Sequence, residues 1–445
     1  MLRRVCTHRT ILPFMSFVSL FRRPALRWLT PGLGVKRWLL LMIAGIAMLG
    51  LGVGFVLVEI YRDTPLPDVF YYLTLQFVPR LVRALLIGLP GISFLMIGLY
   101  KFNQSLLSAV RGVNTQPIME QLWQQRIGVN GPRIVAVGGG HGLAALLRGV
   151  KRHTSNITAI VTVADDGGSS GRLRRELGVL PPGDFRMCIA ALADDESLVT
   201  QLMQYRFGGG DGLAGHSFGN LFIAALAQIT GSFERALEES VRVVASTGRI
   251  LPSTLSDVVL CAEFRPEADG GAAQARGESS IGKRGLPIER VWLEPHDPPA
   301  YPGAVKAILD ADLIVLGPGS LWTSIMPNLL VPGVVEALRQ VRVPIVYVAN
   351  ITTERGETDH FTLADHIDAI ERHISRDIVD YVLVNDHAMP AFTLPSGVEI
   401  VHIDPAIERV GMHIVRADLV SESEPWRHNP AKLAAAVMDL QSRAG

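Results

Sequence analysis

Four glycine-rich loops, at 138–142, 165–171, 215–220 and 317–320, punctuate one stretch of this chain. The clearest lies in LIVLGPGSLWTSIMPNLL (residues 313–330), a short β-rich apolar run, a Gly-Pro-Gly-Ser turn, and then a predicted helix. That order exposes backbone N–H groups at a helix start, where proteins hold phosphates and other anions. Several such loops, each after a predicted strand, restrict the fold to an α/β sheet with its loops gathered on one edge. They also imply a pocket for a phosphorylated small molecule.

The strand candidates are 133–140, 156–168, 257–264, 289–295, 311–317, 343–350 and 379–385. Most alternate with segments of helical periodicity at 141–153, 196–206, 218–229, 303–310 and 362–373. Alternation of this kind predicts a Rossmann-like, doubly wound, mainly parallel sheet covered by helices. The near-continuous apolar strands agree, because parallel strands are buried on both faces. Segment 267–285, rich in Gly, Ala and charge, reads as an exposed loop or a hairpin excursion. A small subdomain beside one doubly wound domain, 131–445, fits this length.

The N-terminal part differs in kind. Residues 1–37 carry eight Lys or Arg and no acid, and form a basic tail. Trp38 to Ile60 then runs apolar, with Glu59 as its only charge. That is long enough to cross a bilayer, which takes roughly 20 apolar residues. A second run over 84–100 is interrupted by Pro90 and Gly91, which membrane helices tolerate, and is flanked by Arg80, Arg83 and Lys101. Two transmembrane helices within 38–102 and a connector at 103–130 are therefore expected. The basic tail places the N-terminus inside, and two spans return the 131–445 domain to the cytoplasm. A formal net charge of +0 argues against a nucleic-acid partner. Three cysteines without a C-x-x-C pair indicate neither a disulfide framework nor a zinc site.

Candidate ligand-binding residues follow from the loops. Gly138, Gly139, Gly140, His141 and Gly142 end the first strand, where ligands sit in open α/β sheets. Their spacing is not G-x-G-x-x-G, which weakens a nicotinamide-dinucleotide reading. Asp165 and Asp166 end the second strand, at the place of a ribose-binding acid or of a metal bridging phosphates, Mg²⁺ in particular. Gly167, Gly168, Ser169 and Ser170 add donors, and Arg172 adds charge. Asp184 is either a helix cap or a ligand contact. Asn220, at the start of an apolar helix, offers both a donor and an acceptor to a base or sugar. Gly317, Gly319 and Ser320 form the expected phosphate cradle. Asn350 ends a further strand, and the polar loop after it, with Glu357, meets the same edge. No Ser/His/Asp order supports a hydrolase.

The stretches GGGHGLAALLRGVK (138–151), VTVADDGGSSGRLR (161–174), PPGDFR (181–186), GHSFGNLFIAAL (215–226), GPGSLWTSIMPNLL (317–330), GETDHF (356–361) and RHNP (427–430) together resemble the gluconeogenesis factor (YvcK) family. That family lies within the CofD-like superfamily, named after 2-phospho-L-lactate transferase. His141 stands where the family usually has Thr, and Met187 where it has Asn. The resemblance implies a CofD-like Rossmann fold that binds a UDP-sugar, UDP-N-acetylglucosamine. It also implies a regulator linking carbon supply to cell-wall precursor synthesis and cell shape, with Arg427 of RHNP reaching the pyrophosphate. The transferase branch implies instead a Mg²⁺-dependent enzyme. Neither catalytic residues nor a required cofactor are assigned, and a homo-oligomer is an expected partner state.

Topology gives the first test. A cytoplasm-dependent reporter fused after Gly445 should be active, and one active only outside the cytoplasm would overturn the two-span reading.

Overall fold

The computed structural model describes residues 131–445, except 194–197, 211, 266–272, 376–377, 387–393, 395, 405–411 and 445, and isolated positions between 46 and 93. The basic tail and connector lie outside the described residues, as do the predicted spans 38–60 and 84–100 but for those positions. Among the described residues no single helix is long and apolar enough to cross a membrane. The chain divides into two units, Met1–Gln121 and Leu122–Gly445; the second holds the fold described below.

In chain order the strands are β1 (Ile134–Gly138), β2 (Ile157–Val161), β3 (Arg249–Pro252), β4 (Val259–Phe264), β5 (Gln274–Arg276), β6 (Ile288–Glu294), β7 (Leu313–Leu316), β8 (Ile345–Val348), β9 (Tyr381–Asn385) and β10 (His413–Ala417). The helices are α1 (Gly140–Val150), α2 (Gly168–Leu177), α3 (Gly183–Leu192), α4 (Leu198–Gln204), α5 (Phe218–Thr230), α6 (Phe233–Val244), α7 (Glu278–Ile281), α8 (Pro302–Leu309), α9 (Met326–Leu329), α10 (Pro332–Gln340), α11 (Leu363–Ile374) and α12 (Pro430–Ala444). One π-helical turn, Leu321–Ile325, leads into α9.

Among the described residues the main sheet has seven strands in the order β3-β2-β1-β7-β8-β9-β10. Every neighbouring pair in it is parallel. Every residue of β1, β2, β7 and β8 is buried, as strands covered by helices on both faces require. The chain winds outward from β1 to β3, returns to lay β7 against the other side of β1, and winds outward again to β10. The direction reverses between β1 and β7, and a crevice opens there beyond the carboxyl ends of the strands.

Two strand candidates, 257–264 and 289–295, lie apart from this sheet. They become β4 and β6 of a separate antiparallel sheet, ordered β5-β4-β6. Segment 267–285 takes the hairpin alternative, and its end folds as β5 and the short α7. Strands β3 and β10 have no sequence signal of their own. Both are edge strands, β3 only four residues long and ending in Pro252, β10 partly exposed with a polar–apolar mixture.

Helix α1, which starts at the first glycine loop, is clamped from behind by the last helix. A Cβ on Gly149 would lie 1.9 Å from the Pro430 carbonyl oxygen and 2.7 Å from the Ala434 methyl. Gly149→Ala gains helix propensity, but the backbone of α12 must move to admit even a methyl. The variant should lose about 1–3 kcal/mol of stability, as overpacked sites do. Urea unfolding checks this, and a midpoint at or above the parent's would count against the close contact.

Candidate functional site

The crevice is built from backbone before side chains. The β1–α1 loop and the β7–π-turn loop touch across it: a Cβ on Gly142 would meet the Pro318 carbonyl oxygen at 2.4 Å, and one on Gly319 would lie 3.3 Å from the Gly139 carbonyl oxygen. Gly317 and Gly319 hold φ of 80° and 150°, a region that side chains rarely adopt. Asn350, just past β8, grips this loop twice. Its Oδ1 accepts from the Gly319 N–H at 3.3 Å and its Nδ2 donates to the Gly319 carbonyl at 2.9 Å. Behind both loops, buried Asn328 donates to the Gly138 carbonyl at 3.1 Å and to the Ser324 carbonyl at 2.8 Å. Asn328 carried no signal in the sequence beyond being polar inside an apolar helix.

Carboxylates line the neighbouring wall. Asp165 accepts the Gly167 N–H at 2.8 Å, and the Ser170 hydroxyl also bonds to it. Asp166 reaches across to α7 and accepts the Ser279 N–H at 2.8 Å. Asp184 lies inside the first turn of α3, whose N-cap is Pro182, so it is no cap. Its carboxylate lies against Gly139, where a Cβ would sit 2.3 Å away, and accepts the Gly140 N–H. Two further acids belong to this wall. Glu278 arrives on α7, from the segment read as a loop or hairpin, and Glu357 from the loop after β8. The hydroxyl of Ser320 donates to Glu357, as does that of Thr323 at 3.4 Å. The Ser320 oxygen also caps the π-helical turn, accepting the Thr323 N–H at 3.1 Å. A carboxylate therefore already takes the hydroxyl donors at the expected phosphate cradle.

Burial dominates the titration of these acids. It raises Asp184 to about 7, with the Asp165 charge adding, against the Gly140 N–H bond and Arg186. Glu278 rises to about 8 through burial, then through the charges of Asp165, Glu357, Asp184 and Asp166. Asp165 is raised mainly by burial, and so are Glu354 and Glu357. Glu354 leaves Oε2 buried without a partner. Among the described residues no three His, Cys, Asp or Glu side chains converge on a point that a metal ion could fill. Asp165 and Asp166 each accept a backbone N–H through Oδ1.

The basic side is looser. Arg186 Nε donates to Asn220 Oδ1 at 3.0 Å, and Asn220 Nδ2 donates to the Ser169 and Ser170 hydroxyls at 3.1 and 3.4 Å. His216 Nδ1 pairs with the Ser169 hydroxyl at 2.9 Å. Ser169, Ser170, His216 and Asn220 are all buried, so their side chains join α2 to α5 and set the position of Arg186. Arg172 donates to the Ala214 carbonyl at 2.9 Å and braces the loop before α5. His141 is exposed; shielding from water, then the charges of Arg427, Arg186 and Arg148, lower its pKa. Arg427 is thus close to the first glycine loop, exposed, with Glu424 at 3.4 Å. Its neighbour His428 is half-buried and bonded to the Ala349 carbonyl, which ties RHNP to the end of β8; desolvation of the ring takes its pKa down to about 4. The structure therefore gathers Gly138–Gly142, Asp165, Asp184, Gly317, Gly319, Ser320 and Asn350 about one crevice. Asn220, Ser169 and Arg172 act from behind it.

A doubly wound sheet with paired glycine loops at its reversal point defines a CofD-like α/β domain, and the family model for 2-phospho-L-lactate transferase CofD matches residues 134–420. A Nostoc protein bearing the gluconeogenesis factor name is 46% identical over 422 residues, covering 93% of this chain and 91% of that one. The gluconeogenesis factor of Bacillus subtilis is 43% identical over 315 residues, covering 69% of this chain and 98% of its own. A crystal structure of a UPF0052 family member from Bacillus halodurans superposes with a TM-score of 0.64 at 42% identity, over 70% of this chain and 100% of that one. The chain belongs to the gluconeogenesis factor family, within the CofD-like superfamily.

The raised acids make stability depend on pH. Asp184 ionises at about 7 in the folded chain against an ordinary 3.8, so between those values the folded state keeps a proton that the unfolded state has released. Its contribution is complete below that window and is lost as pH rises through it. Asp184→Asn should reduce the fall in unfolding free energy between pH 5 and 7 by up to about 1.4 kcal/mol per pH unit. Urea titrations at three pH values measure the slope, and an unchanged slope would contradict the assignment.

Proposed function

We propose that this protein binds a UDP-sugar, UDP-N-acetylglucosamine, in the crevice between β1 and β7. Bound there, the ligand makes the chain a membrane-tethered cytoplasmic regulator that links carbon metabolism to cell-wall precursor synthesis and cell shape. One observation carries the binding. Helices α1 and α2, which start at the crevice, have neither a side-chain cap nor an acid in the first turn, as is also true of α8 and α10. At the crevice the Gly140 N–H bonds to Asp184 and the Gly167 N–H to Asp165, and the following N–H groups of the first turns are left to a ligand. Uncapped N–H groups at a helix start favour an anion. Two such starts beside glycine loops without side chains suit a pyrophosphate, with Arg427 and Arg186 nearby to share its charge.

The regulatory part is supported by the relatives, which are named as a factor. The tether is supported by the two apolar runs, 38–60 and 84–100. The Nostoc relative aligns over 93% of this chain, whereas the Bacillus subtilis one aligns over 69%, so the N-terminal part is shared with only some of the family.

Titration of the full chain with UDP-N-acetylglucosamine tests the binding. At 100 times the dissociation constant the ligand should add about 2.7 kcal/mol of stability. Gly319→Val, which places a branched side chain at φ 150°, should reduce affinity at least about tenfold while the far-UV spectrum stays native. Arg427→Ala should cost about tenfold through one lost charge-assisted contact. The absence of any ligand-induced shift in the parent would overturn the reading.

A further inference from the structure

The opposite edge of the sheet carries a cavity that the crevice does not use. Its volume is about 390 Å³, within the range of roughly 300–1,000 Å³ typical of small-molecule sites. Ile345, Tyr381 and His413, the first residues of β8, β9 and β10, line it together with Arg339, Arg342, Pro344 and Asp380. The four residues of β8 separate this edge from Asn350 and the glycine loops by about 13 Å.

The lining is chemically specific. Arg342 is exposed, and among the described residues it has neither a hydrogen bond nor an acidic partner. Arg339 is turned inward at the end of α10, donating to the Ile374 carbonyl at 2.5 Å and the Ser375 hydroxyl at 3.2 Å. Asp380 is engaged through Oδ2 by the Ile345 N–H at 2.8 Å, which leaves Oδ1 as an acceptor. Two arginines against one acid leave a positive balance. Beside them the rings of Tyr381 and His413 lie 5.5 Å apart, tilted by 35°. A guanidinium with no partner suits a phosphate, and a pair of flat rings, His413 exposed and Tyr381 half-buried, suits a planar heterocycle. The free Asp380 oxygen suits a ligand amino or hydroxyl group. A bare phosphate would leave most of this volume and both rings unused.

We propose that the amino edge of the sheet is a second ligand site, separate from the crevice, that takes a phosphorylated nucleoside. The base lies against Tyr381 and His413, and the phosphate meets Arg342. Occupancy of this site is independent of the UDP-sugar reading, since no residue is shared between the two edges.

Calorimetric titration of the full chain with AMP, in saturating UDP-N-acetylglucosamine and without it, tests the proposal. Arg342→Ala and His413→Ala alter exposed side chains, so both variants should keep the parent's melting temperature. AMP should bind the parent in either condition. Arg342→Ala should weaken AMP about tenfold while leaving adenosine affinity unchanged, and His413→Ala should weaken AMP and adenosine alike, by a few-fold. Gly319→Val, which reads the crevice, should leave AMP affinity intact, so failure at one edge is distinguishable from failure at the other. The proposal is overturned by an absence of AMP heat at millimolar concentration, by AMP affinity unchanged in both variants, or by inorganic phosphate matching AMP.

Discussion

Everything at the crevice depends on two backbones coming closer than side chains allow. Gly142 lies so close to the opposing loop that a Cβ there would come within 2.4 Å of the Pro318 carbonyl oxygen and 2.7 Å of the Gly319 Cα. Those contacts set how far β1 and β7 splay at their carboxyl ends, and hence the width of the opening. The polar groups behind them serve the same end: Asn350 bonds to the Gly319 N–H and carbonyl, and Asn328 adds a second bond to the Gly138 carbonyl, which also accepts the Thr162 N–H.

Beneath this narrow opening lies an acidic bed. Burial raises the proton affinity of Asp184, Asp165, Glu278 and Glu357, and neighbouring carboxylates add to it at Asp184, Asp165 and Glu278. A polyanionic ligand above such a bed would be repelled if every carboxylate were ionised. Protonation near neutral pH removes much of that repulsion, and the arginines at the rim supply attraction. Binding of an anion there raises the carboxyl groups further, so proton uptake accompanies it.

The sequence made the sheet and its glycine loops readable because the buried parallel strands are apolar throughout and three of them, β1, β2 and β7, run into glycine-rich loops. It hid what depends on pairing rather than pattern. RILP at β3 is too short for periodicity, and HIVRA at β10 mixes polar with apolar residues because it lies on an edge. DVVLCAEF and ERVWLEP look like strands of any sheet, and nothing local says that they pair with each other, antiparallel, apart from the main sheet. Among site residues, those in glycine loops stood out. Glu278 did not, because its place against Asp165 and Asp166 arises only when a charged, glycine-rich excursion folds back. Asn220 looked like a ligand donor from its position at a helix start, yet its amide joins buried serines to Arg186.

The place of β1 in the sheet also shapes how the chain assembles. It is the earliest strand of the sheet to be synthesised, and β2 can pair with its first side soon after. Its second side waits for β7, which follows the whole antiparallel subdomain. Until then a nascent half-sheet presents an apolar strand with an open edge, the kind of surface that recruits wrong partners. Helix α1 faces a longer delay, since α12, which covers Gly149, follows every other described element. The crevice therefore forms only once β7 has been made, and a product truncated before β7 is left with one side of β1 unpaired.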